Sequence, residues 1–357
     1  MFGGAYAGRR VLLTGHTGFK GSWLALWLRQ LGADVTGLAL PPDTDPSHWR
    51  LLDLPMQGIT CDIRDAARVA AAVREAKPEV VFHLAAQSLV RPSYEDPLGT
   101  WATNAMGTAH VLEACRATPG VQAVVVVTSD KCYENRETGQ AYREEDALGG
   151  HDPYSASKAA TELVAASWRR SFFSVPGVPR LATARAGNVL GGGDWCRDRL
   201  VPDLVRGVQS SRPASVRNPR AVRPWQHVLE PLAGYLLLGQ RLLEGDAQAC
   251  TAWNFGPDVT ANVAVAAVLA GLHRHWPSLS WVVQPDTVRH EATLLHIDSR
   301  KARERLGWSP VWDLQRTLQA TAEWYATFTE SGVVRSREQL EQYVAAAARA
   351  GAGWAVA

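Results

Sequence analysis

The chain has 357 residues and is nearly neutral, with 37 Lys and Arg against 35 Asp and Glu. Hydrophobic residues make up 46% and charged residues 20%, a composition of folded proteins that argues against wholesale disorder. The overall balance gives no footprint for DNA or RNA. The longest apolar runs, such as 124–127, fall far short of the roughly 20 residues that span a bilayer.

Strand and helix signals alternate through the first half. Arg10 to Thr14 reads as a strand, Gly18 to Leu31 as a helix, and Val35 to Leu40 as a second strand. A third strand precedes Asp62. Ala66 to Ala76 reads as a helix, Val80 to Leu84 as a strand, and Ser93 to Ala117 as a long helix interrupted at Pro97. The run Ala123 to Val127, apolar at every position, fits a strand buried on both faces of a parallel sheet. A helix from Tyr154 to Phe172 and a strand from Leu181 to Ala186 follow. Residues 188–226 are rich in glycine, proline and loop signals, better suited to covering a site than to a regular sheet. Beyond them come a helix from Val228 to Leu243, a strand at Trp253 to Gly256, and helices at Asn262 to Trp276 and Leu314 to Phe328. The alanine-rich end is expected to fray. The alternation predicts an α/β fold with a doubly wound, Rossmann-type parallel sheet and a smaller C-terminal substrate-binding domain. The expected division is 1–187 for the dinucleotide domain, with 228–256 returning to it. Residues 188–227 and 257–330 form the smaller domain, and 331–357 a tail.

Five scattered cysteines form no CxxC pair, which suggests reduced thiols and a cytoplasmic setting. The first ten residues lack the order of a signal peptide. No His, Cys, Asp and Glu spacing suggests a metal site.

Gly15-His16-Thr17-Gly18-Phe19-Lys20-Gly21 is a G-x-x-G-x-x-G loop between a strand and a helix. Glycine lets the backbone approach a pyrophosphate closely, and the helix N-terminus offers free N–H groups. Gly15, Thr17, Gly18, Phe19 and Gly21 are the candidate phosphate-binding residues. The acidic residue that holds the adenosine ribose is missing from the end of the second strand, where Leu38, Ala39 and Leu40 stand. No arginine replaces it, so NAD and NADP both stay open on local chemistry. Asp62 and Ile63 are candidates for the adenine end.

Tyr154 and Lys158 are four apart, on one face of a helix. A nearby ammonium favours the phenolate and suits tyrosine to take a proton from a sugar hydroxyl. The strand 121–128 runs into Ser129-Asp130-Lys131, and ligands in parallel α/β sheets sit at the carboxyl ends of strands. A hydroxyl, a carboxyl and an amine side by side suit proton shuttling. His83 reads as a packing or loop-ordering residue, and Asn104 as structural or functional with equal weight.

Together the glycine loop, the Ser-rich strand end and YxxxK resemble the extended short-chain dehydrogenase/reductases that act on nucleotide sugars. TGHTGFKGSWL at 14–24, VTSDKCYENRE at 127–137, ARAGNVLGGGDW at 184–195 and RPWQHVLEPL at 223–232 are similar to its 4,6-dehydratases, in the branch acting on CDP-glucose. The resemblance spans about residues 10–325. It implies NAD as cofactor, along whose path Ala85, Ala86 and Gln87 lie, and a homodimer. It further implies Tyr154 as base at C4 with Lys158 supporting it, Ser129 holding the C4 oxygen, and Asp130 protonating the departing C6 hydroxyl. Most of the relatives carry Glu after this Asp as the C5 base. Here Lys131 stands there, and lysine acts as a base only in its neutral form. Lys131 is therefore read as the C5 base, with stabilisation of the enolate as the competing role.

For a nucleotide sugar, arginine forks suit the diphosphate. Asn188, Arg199, Arg217 and Arg223 are the candidates, with Leu200 and Val201 packing on the base and His290 and Glu291 near the sugar. Arg206, Arg212 and Arg220 read as surface charges. Residues 185–223 hold eight Arg, no Lys and three Asp, so the near-neutral total conceals one basic segment. A 4-epimerase and a non-catalytic NAD(P)-binding sensor are the competing functions.

Overall fold

Seven strands form one parallel sheet in the computed structural model, which describes residues 1–175, 177–284 and 294–356. They are β1 (Arg10–Thr14), β2 (Asp34–Ala39), β3 (Gln57–Thr60), β4 (Val80–His83), β5 (Ala123–Val127), β6 (Arg180–Ala186) and β7 (Ala252–Phe255). Their spatial order is β3-β2-β1-β4-β5-β6-β7, the doubly wound Rossmann arrangement. The order reverses between β1 and β4, where Thr14 pairs with His83, and a ligand crevice is expected at that point.

Alternation along the strands feeds two cores. Val11, Leu13 and Val125 pack with Trp23 and Trp27 of the helix Phe19–Gln30 and with the helix Leu229–Leu243 on one face. Leu12, Val81, Val124 and Val126 pack on the other face, against the helices Ala66–Ala76, Gly107–Ala117 and Pro153–Ser171. Every residue of β5 is buried, as a strand covered on both faces requires. Val11, Leu13 and the other β1 side chains beyond Arg10 are buried as well.

A third core joins Leu190, Trp195, Val201, Leu204, Trp225, Leu269, Trp324 and Tyr325, beside the carboxyl edge of the sheet. Short two-stranded pairings lie around it: Val189–Leu190 with Gln226–His227, Val222–Pro224 with Asn262–Ala264, and Ala214–Val216 with Trp281–Val283. Among the described residues no helix is long and apolar enough to cross a membrane.

Three sequence expectations need correction. The long helix expected over 93–117 is four pieces: Val90–Glu95, Pro97–Trp101, a π-helical turn at Ala102–Met106, and Gly107–Ala117. Pro97 lacks an N–H, and the Asp96 carboxylate caps a new helix by accepting from Gly99 N at 2.8 Å. The helix expected from Asn262 begins at Val265, because Asn262–Ala264 pairs antiparallel with Val222–Pro224. The C-terminal end is not frayed. Ser336–Arg349 and Gly353–Val356 are helical, and Leu340, Tyr343 and Ala347 form a buried stripe. Trp354 stacks on Phe2 at 5.0 Å and packs edge-on to Trp27. Its low complexity hid an apolar face at helical spacing.

Candidate active site

A cleft of about 1310 Å³ opens over the carboxyl ends of β1, β4, β5 and β6. The glycine loop forms its floor. Gly15 has φ +74°, and a Cβ there would meet Ala85 N at 2.7 Å. A Cβ on Gly21 would fall 2.0 Å from Gly15 O, so helix and loop touch only because both residues are glycine. Gly18 is the N-cap of Phe19–Gln30 and supplies no side-chain cap, leaving backbone N–H groups at that end for a ligand. Gly15, Thr17, Gly18, Phe19 and Gly21 all line the cleft, as do Asp62, Ile63, Ala85, Ala86 and Gln87. This cradle fits a dinucleotide pyrophosphate.

His83 and Asn104 fix the far wall. The His83 ring joins Thr14 Oγ1 at 2.7 Å to Thr108 Oγ1 at 3.0 Å. Thr14 Oγ1 in turn accepts from Leu84 N and Ala85 N, both at 3.1 Å. Burial and then the Lys158 ammonium hold the imidazole down to about 3, so it orders the loop as a neutral group. Asn104 gives hydrogen bonds to Gln87 O and Ser157 Oγ and accepts from Gln87 N. It thereby ties the cofactor-side loop to the helix carrying Tyr154.

Tyr154, Ser129, Asp130, Lys131 and Lys158 meet in the cleft. Ser129 caps the short turn Asp130–Cys132, accepting from Lys131 N at 3.2 Å, and donates to Asp130 Oδ1 at 3.1 Å. Asp130 is buried, and its Oδ2 has no hydrogen-bond partner among the described residues. Burial pushes the Tyr154 phenol up to about 12, while the Ser129 hydrogen bond and the Arg199 guanidinium pull it back. Lys158 lies one turn from this phenol, as the spacing requires, and Arg199 is a further cation that pulls on it. Burial lowers Lys158 to about 8, against the pull of Glu162 and Cys132.

The basic segment splits between the cleft and its surroundings, and Arg206, read as a surface charge, is half-buried. Asn188, Arg199, Leu200, Val201, Arg217 and Arg223 line the cleft. Arg199 pairs with Asp194 at 2.9 Å and donates to Ser88 Oγ at 3.1 Å. Arg217 and Arg91 both reach Asp198 Oδ1, at 3.4 and 3.3 Å. Arg206 instead donates to Trp195 O and Cys196 O, a structural use, and Arg212 and Arg220 are exposed. His290 and Glu291 lie outside the described residues. The Asp62 carboxylate is held by Arg64 at 2.6 Å, below the usual carboxylate range.

Sequence reasoning missed Lys20. It lies in the first turn of Phe19–Gln30 and lines the cleft. Burial and then Arg199 lower its amine to about 8, while Asp130 raises it. The signal was a cation inside the glycine loop itself, at the positive end of a helix.

Residues 12–321 match the model of the GDP-mannose 4,6 dehydratase family. The chain belongs to that family. Within reach of it lies the CDP-glucose 4,6-dehydratase of Salmonella typhimurium, 45% identical over 354 residues, covering 96% of this chain and 98% of that protein. A dTDP-glucose 4,6-dehydratase of Xanthomonas campestris is 28% identical, covering 74% and 78%. Among solved structures, the dTDP-glucose 4,6-dehydratase of Streptomyces venezuelae with NAD bound superposes at TM-score 0.75 and 25% identity, covering 90% of this chain and 97% of that one. An epimerase of Methanothermobacter thermautotrophicus shares the fold at TM-score 0.79 and 24% identity, covering 92% and 95%.

Proposed function

We propose that the chain converts CDP-D-glucose to CDP-4-dehydro-6-deoxy-D-glucose and water, as an NAD-dependent nucleotide-sugar 4,6-dehydratase. The observation that carries this reading is the buried Asp130 carboxylate with its unpartnered oxygen, facing the same cleft as Tyr154 and Lys158. A 4-epimerase needs Tyr154 but no acid for a leaving hydroxyl. A cofactor sensor needs neither. The near full-length identity to the Salmonella CDP-glucose enzyme supports the same choice.

NAD held against the Gly15–Gly21 cradle would supply the hydride acceptor for C4 and the hydride donor for C6. The protein does the rest. Tyr154 takes the C4 hydroxyl proton, with Ser129 steering that oxygen and Arg199 and Lys158 providing positive charge. The resulting C4 ketone acidifies the C5 proton, which Lys131 removes. Asp130 gives a proton to the C6 hydroxyl, which leaves as water. After hydride reaches C6, a proton returns to C5. Arg199, Arg217 and Arg223 hold the diphosphate, and Leu200 and Val201 pack on the cytosine.

This reading assigns the cofactor to 1–187 and 228–256 and the nucleotide sugar to 188–227 and 257–330. Leu98, Trp101, Met106 and Leu163 are exposed on adjoining helices, an apolar face that suits a homodimer in the cytoplasm.

Incubation with NAD and CDP-glucose, dTDP-glucose or GDP-mannose tests the reading. A 4-keto product absorbing in alkali from CDP-glucose is expected. Turnover of only the other two sugars would overturn the nucleotide assignment, and a C4 epimer the dehydration.

A further inference from the structure

One buried ion pair stands outside the cleft yet touches both ends of the loop that carries Ser129, Asp130 and Lys131. Arg185 Nη2 lies 3.0 Å from Glu162 Oε2, and each side chain is only 3% exposed. Glu162 follows Tyr154 and Lys158 at four-residue spacing on the helix Pro153–Ser171, so the three share a face. Arg185 and Thr183 are alternate residues of β6, on one side of that strand.

The pair's hydrogen bonds reach to either side of the loop. Thr128, immediately before Ser129, donates to Glu162 Oε1 at 2.5 Å. Thr183 donates to Oε2 at 2.7 Å. Arg185 Nη1 donates to the Tyr133 hydroxyl at 2.8 Å, just beyond Cys132, and its guanidinium lies 4.9 Å from the Tyr133 ring centre. Tyr133 passes the contact on, donating to Asn254 Oδ1 at 2.7 Å. All of these groups are buried. A buried pair is weak evidence for stability, because desolvation offsets its attraction. Its use is better sought in what it orders.

We propose that Glu162 and Arg185 are positioning residues of the reaction, gripping Thr128 and Tyr133 so that the loop between them meets Tyr154. The proposal rests on the reaction assigned above. Lys158 is faced by Tyr154 and Glu162 from its own helix, Cys132 from the loop, His83 from β4, and Lys20 from the glycine loop. Glu162 is the first of these to favour its ammonium, and it remains ionised despite burial because Arg185, Thr128 and Thr183 all stabilise the carboxylate. Removing that charge makes Lys158 lose its proton at lower pH.

Two measurements test this. In Glu162→Gln, which keeps the shape, kcat should fall by about tenfold to a hundredfold with KM for the nucleotide sugar unchanged. The alkaline limb of its kcat profile should move down by about one pH unit. Glu162→Asp, which keeps the charge, should lose kcat without moving the limb. Folded Glu162→Gln with wild-type kcat and an unmoved limb would overturn the proposal. The second readout needs no substrate: amide exchange over 129–133 should accelerate by about tenfold in Tyr133→Phe and in Glu162→Ala. Unchanged exchange in both would overturn the grip even if Glu162→Gln failed to fold. Failure of the wild type to turn over CDP-glucose would instead refute the assigned reaction and leave the exchange result standing.

Discussion

Asp130 Oδ2 and Gly187 are packed so closely that a Cβ on Gly187 would stand 2.7 Å from that oxygen. The same Cβ would lie 2.8 Å from Pro224 Cγ, a ring with little freedom to retreat. Gly187→Ala therefore displaces the acid, not the base. Its expected signature is loss of product formation by on the order of a hundredfold, with enzyme-bound NADH accumulating. Rapid-scan absorbance of NADH after mixing with CDP-glucose reads this. Wild-type turnover in the variant would detach Asp130 from the elimination.

The ammonium of Lys158 is held down to about 8 by burial. In the proposed mechanism the charged form supports the Tyr154 phenolate, so kcat should fall as pH rises through about 8. Lys20 is lowered to a similar value by burial and Arg199. A pH profile of Lys20→Met separates the two, since it should retain the alkaline limb. Lys158→Met should leave almost no C4 oxidation at any pH.

Four histidines make the fold sensitive to acid. Burial lowers His16 to about 4 and His48, His83 and His227 to about 3, against an ordinary value of 6.5. Below 6.5 the unfolded chain takes up protons that the folded one refuses, so stability falls as pH falls through the window from 6.5 towards 3 or 4. Each histidine contributes a slope of about 1.4 kcal/mol per pH unit while its two states differ. Glu230, pushed up to about 7 by burial, takes up a proton when folded and opposes one of the four. Urea midpoints at about pH 7.5 and 5.5 should differ clearly, with a shallower dependence in His48→Asn. Equal midpoints would contradict the assignment of buried neutral rings.

The C-terminal helices are part of the core. Trp354 is 3% exposed, and the Tyr343 hydroxyl donates to Glu230 Oε2 at 2.7 Å. Trp354→Ala should cost about 3–5 kcal/mol, seen as a lower urea midpoint at constant m. Deletion of 336–357 should expose Trp27 and leave no soluble folded protein. An unchanged midpoint in Trp354→Ala would return this segment to the status of a tail.

Where periodicity was strong, the fold was readable: β5 has no polar residue, and β1 runs straight into a glycine loop. The site was readable because its residues fall into short motifs, with Ser129 to Lys131 at a strand end and Tyr154 and Lys158 one turn apart. What escaped depended on distant partners. Nothing local to ARAGAGWAVA says that Trp354 will stack on Phe2. Nothing near Tyr154 says that Arg199, from a loop 45 residues on, is a cation acting on its phenol. Glu162 and Arg185 gain a use only from being buried together, which no local motif around either residue announces. Lys20 was in plain view, but as a non-glycine position in a glycine pattern.

The central claim is that hydride leaves C4 and returns to C6 of the same sugar. CDP-glucose carrying deuterium at C4, incubated with the enzyme and NAD in ordinary water, tests it most directly. The account predicts a 4-keto product with the deuterium in the C6 methyl group and solvent hydrogen at C5. Deuterium retained at C4 in an epimerised sugar, or a 4-keto product with no deuterium at C6, would contradict it.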